Sequence, residues 1–568
     1  MKARWLPIAL LGLGVGSGLL AGVPRVSAAP PTHGFGIATE SPGATVQASK
    51  VLADGGNAID AAVCAALVAG FTNPVSSGIG GGGFALVYSA RDHQPLVLDF
   101  RETAPAAVDT SVLDARPIPA EKRGHTVGVP GEVAGLFELH SRYGKLTWKN
   151  VVSRAARLAE QGFLAEPHNS QQVAEQVAQH PELLPKASPG FRSVYLPGGS
   201  PAKVGQRLYA RKLAKTLGRI ASEGRRGFYE GPVAADVVST VKTAGGALAL
   251  ADLAAYKPLA REPLRVSWAG KQVLTMPPPS AGGLLLVEVL SLFQKDELTT
   301  LNDAPAKRIH LLAEAMRGAV ADRARYVGDP GFVNVNVASL LAPARMAKRK
   351  ALIAEERTHT PPRFGLEDAG THHLVVADDA GNWVSLTTTL NDAFGAKLYA
   401  EQSGIFLNNQ LTDFSTPESV AAFGMKESPN RARPGARPVS SMAPTLVLDG
   451  GEPVLALGGS GALTIAPNTT QVLLNRLAYG MSAAAALAAS RFTIPAPRTG
   501  QTLWLESALA KPYGADLTAR GELLLAKDSE NAVQLVAREN GAFSAASDPR
   551  KGGTAQVGNA AAPRAAAQ

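Results

Sequence analysis

Apolar residues recur at helical spacing through much of the chain before Thr371 and at strand spacing after it. Residues 42–53 read as a helix stopped by Asp54-Gly55-Gly56. Asn57 then caps a second, alanine-rich helix that runs to about Gly70. Residues 84–88 and 95–100 form a hairpin around Ala90-Arg91-Asp92. The pattern from 131 to about 255 is helical, with clear stretches at 148–161, 208–223 and 239–244. Strands return at 264–268 and 272–275, and the Pro277 to Gly283 turn leads into an apolar helix. Another helix covers 309–326. Residues 348–370 lack apolar periodicity and carry charges, threonines and a proline pair, which predicts an exposed linker open to cleavage.

From Thr371 the period becomes two. Residues 375–377 and 383–390 flank Asp379-Ala380-Gly381, a hairpin loop with glycine where positive φ is needed. Centring the turn on Ala380 sets Thr371 opposite Thr389, with Thr387, Thr389 and Asn391 on one face. A polar row is an unusual lining for a core strand. Polar loops follow at 407–414 and 437–444, then a strand at 453–457, a turn at 458–462 and a helix at 466–479. The ordered chain is expected to end near Asp548-Pro549-Arg550, before an Ala/Gly/Pro-rich tail expected to be disordered.

The 568 residues are enough to bury a large core, and 45% hydrophobic with 18% charged residues describes an ordinary globular composition. The net charge of +9 is spread thinly. Lys348-Arg349-Lys350 and Arg431, Arg433 and Arg437 cluster without interleaved aromatics, which argues against nucleic acid as a partner. An anionic small substrate or an anionic cell surface fits the balance. Lys2 and Arg4, an apolar stretch at 6–23 and Val26-Ser27-Ala28 compose a signal peptide over residues 1–28, so export without a stable membrane anchor is expected. Cys64 stands alone, which excludes an intrachain disulfide, and its apolar helical surroundings predict burial.

Gly78, Gly80 and Gly83 spell a dinucleotide-type pattern, but a Pro/Ser loop precedes it and a strand follows, so the context excludes that use. Close backbone approach inside a core is the better use of these glycines. Arg101 ends a strand, where its guanidinium can grip a carboxylate in a two-pronged pair or simply neutralise Asp99 or Glu102 at the surface. Thr371 can be a plain strand start. Alternatively, cleavage before it would expose an α-amine whose pKa of about 7.7 to 8.0 suits a general base for its own hydroxyl. Ser460, in Gly458-Gly459-Ser460-Gly461-Ala462, is a competing nucleophile on a near-elbow. No histidine follows His373, so the Asp and His order that such an elbow needs is missing.

Taken in order, these stretches resemble gamma-glutamyltranspeptidase, an N-terminal-nucleophile hydrolase, over nearly the whole chain after the signal. They are Asp54 to Ala62, Gly80 to Phe84, Asp99-Phe100-Arg101-Glu102, Gly128-Val129-Pro130-Gly131, Pro277 to Gly283 and Asp322-Arg323-Ala324-Arg325-Tyr326. After the linker come Thr371-x-His373, Thr389-Leu390-Asn391, Asn408-Asn409-Gln410, Asp413-Phe414 and Ser440-Ser441-Met442.

The resemblance implies an α+β, four-layer αββα sandwich, self-cleaved at the Gly370-Thr371 bond. Residues 29–370 become a large subunit and 371–568 a small catalytic one, associated as a heterodimer. It implies Thr371 as nucleophile and, through its amine, general base, with Thr389 orienting it and Gly461 and Ala462 donating to the oxyanion. Arg101, Ser440 and Ser441 would hold the glutamyl α-carboxylate; Asn391, Gln410 and Asp413 would hold the α-ammonium. The substrates would be glutathione and other γ-glutamyl compounds, with water or an amino acid or peptide as acceptor and no metal or organic cofactor. Location would be periplasmic or extracellular.

A glutaryl-type acylase and a non-catalytic exported paralogue are the alternatives, the first opposed by the complete ammonium set. Three departures from the family pattern bear on the site. His372 replaces a second threonine, Gly458 to Ala462 replaces Gly-Ser-Pro-Gly-Gly, and Phe423 falls near an aromatic lid residue of some members without a phenol hydroxyl.

Overall fold

The computed structural model describes residues 34–181, 188–358, 370–494, 502–529 and 531–558. The signal peptide and residues 559–568 of the expected tail lie outside the described residues. The strands that build the two main sheets are, in order, β1 (Phe35–Thr39), β2 (Gly82–Ser89), β3 (Gln94–Phe100), β4 (Leu259–Arg261), β5 (Leu264–Trp268) and β6 (Lys271–Thr275). They continue as β7 (Gly370–Asp378), β8 (Trp383–Asn391), β9 (Thr445–Asp449), β10 (Glu452–Gly459), β11 (Val533–Glu539), β12 (Ala542–Ser547) and β13 (Thr554–Gly558). A seven-stranded sheet runs β13-β1-β7-β8-β2-β3-β4, and a six-stranded sheet runs β12-β11-β10-β9-β6-β5.

Helices cover the outer face of each sheet, so the layers read α, β, β, α. On one side lie α1 (Pro42–Ala53) and α2 (Ala58–Thr72), whose apolar residues share a core with Leu374 and Val376 of β7. On the other lie α3 (Gly282–Leu292), α4 (Pro305–Tyr326), α5 (Pro343–Leu352) and α6 (Ile465–Leu477). Val375 and Ala377 of β7 face that way, into the core between the sheets. Alternate residues of one strand thus serve two cores, which explains why Leu374 to Ala377 of β7 are apolar without alternation. Helix α2 is buried on all sides, so it needs no polar stripe. Its start is the predicted one: Asn57 Oδ1 accepts from Asp60 N and Asp60 Oδ2 from Asn57 N, both at 3.0 Å. Cys64 is buried within it and its thiol is pushed up to about 12 by desolvation, as a packing role requires.

The β7–β8 turn also follows the pattern, with Gly381 at φ 92°. Two expectations fail. The segment 348–370 is not all linker, because α5 carries Lys348, Arg349 and Lys350, and Gly370 opens β7. Arg349 reaches buried Glu288 and Asp322 on the neighbouring helices, so its charge anchors rather than solvates the segment. Residues 359–369 lie outside the described residues. The chain also stays ordered past Arg550: β13 pairs with β1 from Thr554 to Gly558, its side chains mostly exposed, which made it look like tail. A smaller shift occurs at 208, where Arg207–Leu208 forms a short strand and the helix starts at Arg211.

Candidate active site

Gly370 and Thr371 begin β7, with β8 alongside. Thr388 pairs with His372 and Asn391 with Gly370, so a bulge leaves Thr389 and Leu390 facing Thr371. The turn arithmetic therefore finds the right neighbour: Thr371 Oγ1 and Thr389 Oγ1 lie 3.3 Å apart. Thr389 Oγ1 has a single proton, and it goes to the Gly370 carbonyl at 2.7 Å. Thr389 Oγ1 also accepts from Asn391 N at 2.9 Å. The Thr371 hydroxyl must then be the donor across the 3.3 Å contact. One side chain thus contacts both the Thr371 hydroxyl and the carbonyl beside it.

The glycine run that leads into β2 makes this placement possible. A Cβ on Gly81 would meet the Thr389 carbonyl oxygen at 2.0 Å, and one on Gly83 the Thr387 oxygen at 2.0 Å. The glycines press the backbone against β8, as a close-approach role predicts.

Arg101 leaves the end of β3 and is 1% exposed. It does not pair with Asp99 or Glu102 at a surface. Its Nη2 donates to Asp413 Oδ2 at 2.5 Å and to the Val439 carbonyl at 3.1 Å, and its Nε to the Pro438 carbonyl at 3.2 Å. Asp99 is taken by Arg261 at 2.7 Å. Gln410 Nε2 donates to the same Asp413 oxygen at 2.8 Å, which leaves buried Gln410 Oε1 without a partner among the described residues. Asn391 holds φ 79°, and its Nδ2 donates to Thr412 Oγ1 at 2.9 Å and the Asn409 carbonyl at 3.3 Å. Asn408 is fully satisfied by Gly80, Gly128 and Gln410 backbone groups and is a strut.

Ser440 and Ser441 sit on the loop carrying the Pro438 and Val439 carbonyls. Ser440 Oγ accepts from Met442 N at 3.1 Å, and Ser441 Oγ accepts from Arg323 Nη1. Gly461 has φ 119° and Ala462 φ 52°, so the departure to alanine is accommodated in a left-handed turn before α6. Phe423 is buried next to Arg325, whose Nη2 reaches its carbonyl at 3.5 Å.

Two groups beside Thr371 escaped the sequence reading. Lys551 is 7% exposed, and its Nζ contacts Ser460 Oγ at 2.7 Å, Glu40 Oε2 at 3.4 Å and the Thr371 carbonyl at 3.4 Å. Ser460 is therefore held in a buried ionic cluster with Lys551 and Glu40. Burial raises the Glu40 carboxyl and Lys551 pulls it back down. His372 is fully buried with neither ring nitrogen partnered among the described residues, and burial, then Lys551, pushes it down to about 3. It stays neutral. A cavity of about 250 Å³ opens beside Gly370 and Gly461, lined also by Lys551, His168, Asn531 and Trp504.

A threonine at the head of an inner strand of an αββα sandwich is the architecture of the N-terminal-nucleophile hydrolases. The fold agrees with that of a cephalosporin acylase from Bacillus halodurans, at TM-score 0.81 and 24% identity over 94% of this chain and 98% of that one. The chain belongs to the gamma-glutamyltranspeptidase family, whose sequence model matches residues 44–558. It is 36% identical to glutathione hydrolase 2 of Arabidopsis thaliana, over 92% of this chain and 93% of the relative. It is 35% identical to the glutathione hydrolase proenzyme of Bacillus subtilis strain 168, over 79% of each.

Proposed function

We propose that this protein is an exported γ-glutamyl transferase and glutathione hydrolase that matures by cutting its own Gly370-Thr371 bond. The observation that carries the reading is the pairing of Arg101 with Asp413, linked to the Thr371–Thr389 contact through Asn391, which donates to both Thr389 Oγ1 and Thr412 Oγ1. A γ-glutamyl group brings an α-carboxylate and an α-ammonium. Its two charges can exchange partners with Arg101 and Asp413, so the buried Arg101 guanidinium and the partly buried Asp413 carboxylate each keep a counter-charge. Asn391 and Gln410 offer carbonyl oxygens to the ammonium, and Ser440 and Ser441 offer hydroxyl protons to the carboxylate. Fixing both ends places the γ-carbonyl against Thr371.

In maturation, Thr371 Oγ attacks the Gly370 carbonyl that Thr389 polarises. The peptide C–N bond breaks as the Thr371 nitrogen takes up the hydroxyl proton, which frees the amine and leaves an ester; water then cleaves the ester, releasing the Gly370 carboxylate and restoring the Thr371 hydroxyl. In turnover, that amine takes the hydroxyl proton while Oγ adds to the γ-carbonyl. The Gly461 and Ala462 N–H groups receive the oxyanion. The leaving amine departs protonated toward the cavity beside Gly370, and water or an acceptor amine then resolves the γ-glutamyl ester. The described residues contain no helix long and apolar enough to cross a membrane.

The test is release of p-nitroaniline from γ-glutamyl-p-nitroanilide together with the mass of the purified protein. Wild type should show two fragments, one beginning at Thr371, and steady turnover. Thr371→Ala should remain one chain and be inactive. An active, uncut Thr371→Ala protein would overturn the assignment.

A further inference from the structure

Asp322 and Arg323 adjoin in the last turns of α4, and the reaction above uses neither. Asp322 is structural: its carboxylate takes Arg345 at 2.7 Å through both oxygens and Arg349 at 2.8 Å, fastening α5 to α4. Arg323 turns to the site instead. Its Nη1 donates to Ser441 Oγ and, at 3.4 Å, to the Ser440 carbonyl. A hydroxyl has one proton, so an oxygen already receiving an N–H must direct that proton elsewhere. Ser440 is arranged alike, with Met442 N as the occupying donor at 3.1 Å. Both serines are therefore presented as donors to an outside acceptor.

Charge points the same way. Burial depresses Arg323 to about 10, Asp413 lifts it and Arg101 lowers it further, so the two guanidinium groups lie within electrostatic reach of each other, while Asp413 is paired with Arg101. That end of the clamp has a surplus of positive charge and an appetite for an anion.

We propose that Arg323 is a positioning residue for the substrate's α-carboxylate, locking Ser441 as a hydrogen-bond donor and adding a second positive charge behind Arg101. The proposal rests on the γ-glutamyl reading given above.

The experiment compares γ-glutamyl-p-nitroanilide with 4-aminobutyryl-p-nitroanilide, which keeps the amine and lacks the α-carboxylate. Wild type should prefer the first by about 100-fold or more in kcat/KM. Arg323→Met should cut that preference about tenfold, chiefly through KM. Ser441→Ala should do the same, and the double variant should lose about tenfold rather than about a hundredfold, because the two residues act as one unit. Arg323→Lys keeps the stem and the charge but not the fork, and it carries the test if the Met variant does not fold. A merely structural Arg323 would lower both substrates equally. An unchanged preference in the Arg323 variants, with wild type still selective, would overturn this inference and leave the γ-glutamyl reading standing. A wild type indifferent to the carboxylate would overturn both.

Discussion

Thr389→Val replaces one hydroxyl by a methyl of similar size, which isolates the hydrogen bonds of Thr389 from its packing. Three contacts are lost together: the 2.7 Å donation to the Gly370 carbonyl, the 2.9 Å acceptance from Asn391 N and the 3.3 Å contact with Thr371 Oγ1. The first is the bond that should strengthen as the carbonyl oxygen takes up charge during self-cleavage. Removing one such donor costs about 2.7–4 kcal/mol of transition-state stabilisation, or about 100- to 1,000-fold in rate. The other two contribute ground-state alignment, and an unsatisfied Asn391 N–H adds about 1–3 kcal/mol of instability. Freshly synthesised protein, sampled over time on denaturing gels, should convert to two fragments at least about 100-fold more slowly than wild type. Thr389→Ser restores the hydroxyl and should restore most of the rate. Maturation of Thr389→Val at the wild-type rate would refute the proton assignment, because nothing else described here donates to that carbonyl from β8.

Ala462 already holds the left-handed backbone, so Ala462→Gly should relieve about 0.5–1 kcal/mol of strain and leave kcat within about threefold. Thermal unfolding and the anilide assay read both, and a fall in kcat beyond about tenfold would show that the methyl itself shapes the turn. Lys551→Met strands Glu40 in the core and should cost about 3–5 kcal/mol in denaturant unfolding at neutral pH. Adding Glu40→Gln should recover much of that loss, and strict additivity of the two would deny the pairing. The Glu102 carboxyl is raised to about 8 by burial, so its contribution to stability is full below its ordinary value of 4.5 and is lost as pH rises through 8. Glu102→Gln should flatten the decline in unfolding midpoint between about pH 5 and about pH 8, although nearby Glu132 titrates in the same sense.

The sequence carried most of the fold because its elements are locally consistent. Asn57 with Asp60 caps α2, and Gly381 makes the β7–β8 turn, each by chemistry confined to a few residues. The contact between Thr371 and Thr389 followed from the same turn, since a hairpin fixes register by counting. The Arg101–Asp413 pair of the proposed clamp was legible only through resemblance. Arg101 and Asp413 are far apart in sequence, and nothing local to either tells that they meet. Lys551 was illegible for a different reason. It sits between an exposed edge strand and a stretch rich in Asp, Pro and Gly, so local pattern assigns it to a tail. Only the pairing of β13 with β1 buries it beside Thr371. Segment 348–358 misled because its charged residues find buried carboxylates, a tertiary choice that overrides a polar local pattern.

The strand order is compatible with the proposed cut at Gly370. In the seven-stranded sheet β7 lies between β1, from before the cut, and β8, from after it; β8 in turn pairs with β2. The terminal strand β13, from after the cut, closes on β1. In the second sheet β9 pairs with β6 across the same divide. Each fragment therefore completes both sheets of the other, and separating them would open ladders in two places and expose both cores. The clamp divides in the same way, with Arg101 before the cut and Asp413 after it. Breaking the Gly370-Thr371 bond removes a single link at the head of one strand and leaves every one of these contacts in place. Under the proposed maturation, this sheet order keeps the Thr371 hydroxyl in place to act first on the chain and then, with its new amine, on substrate.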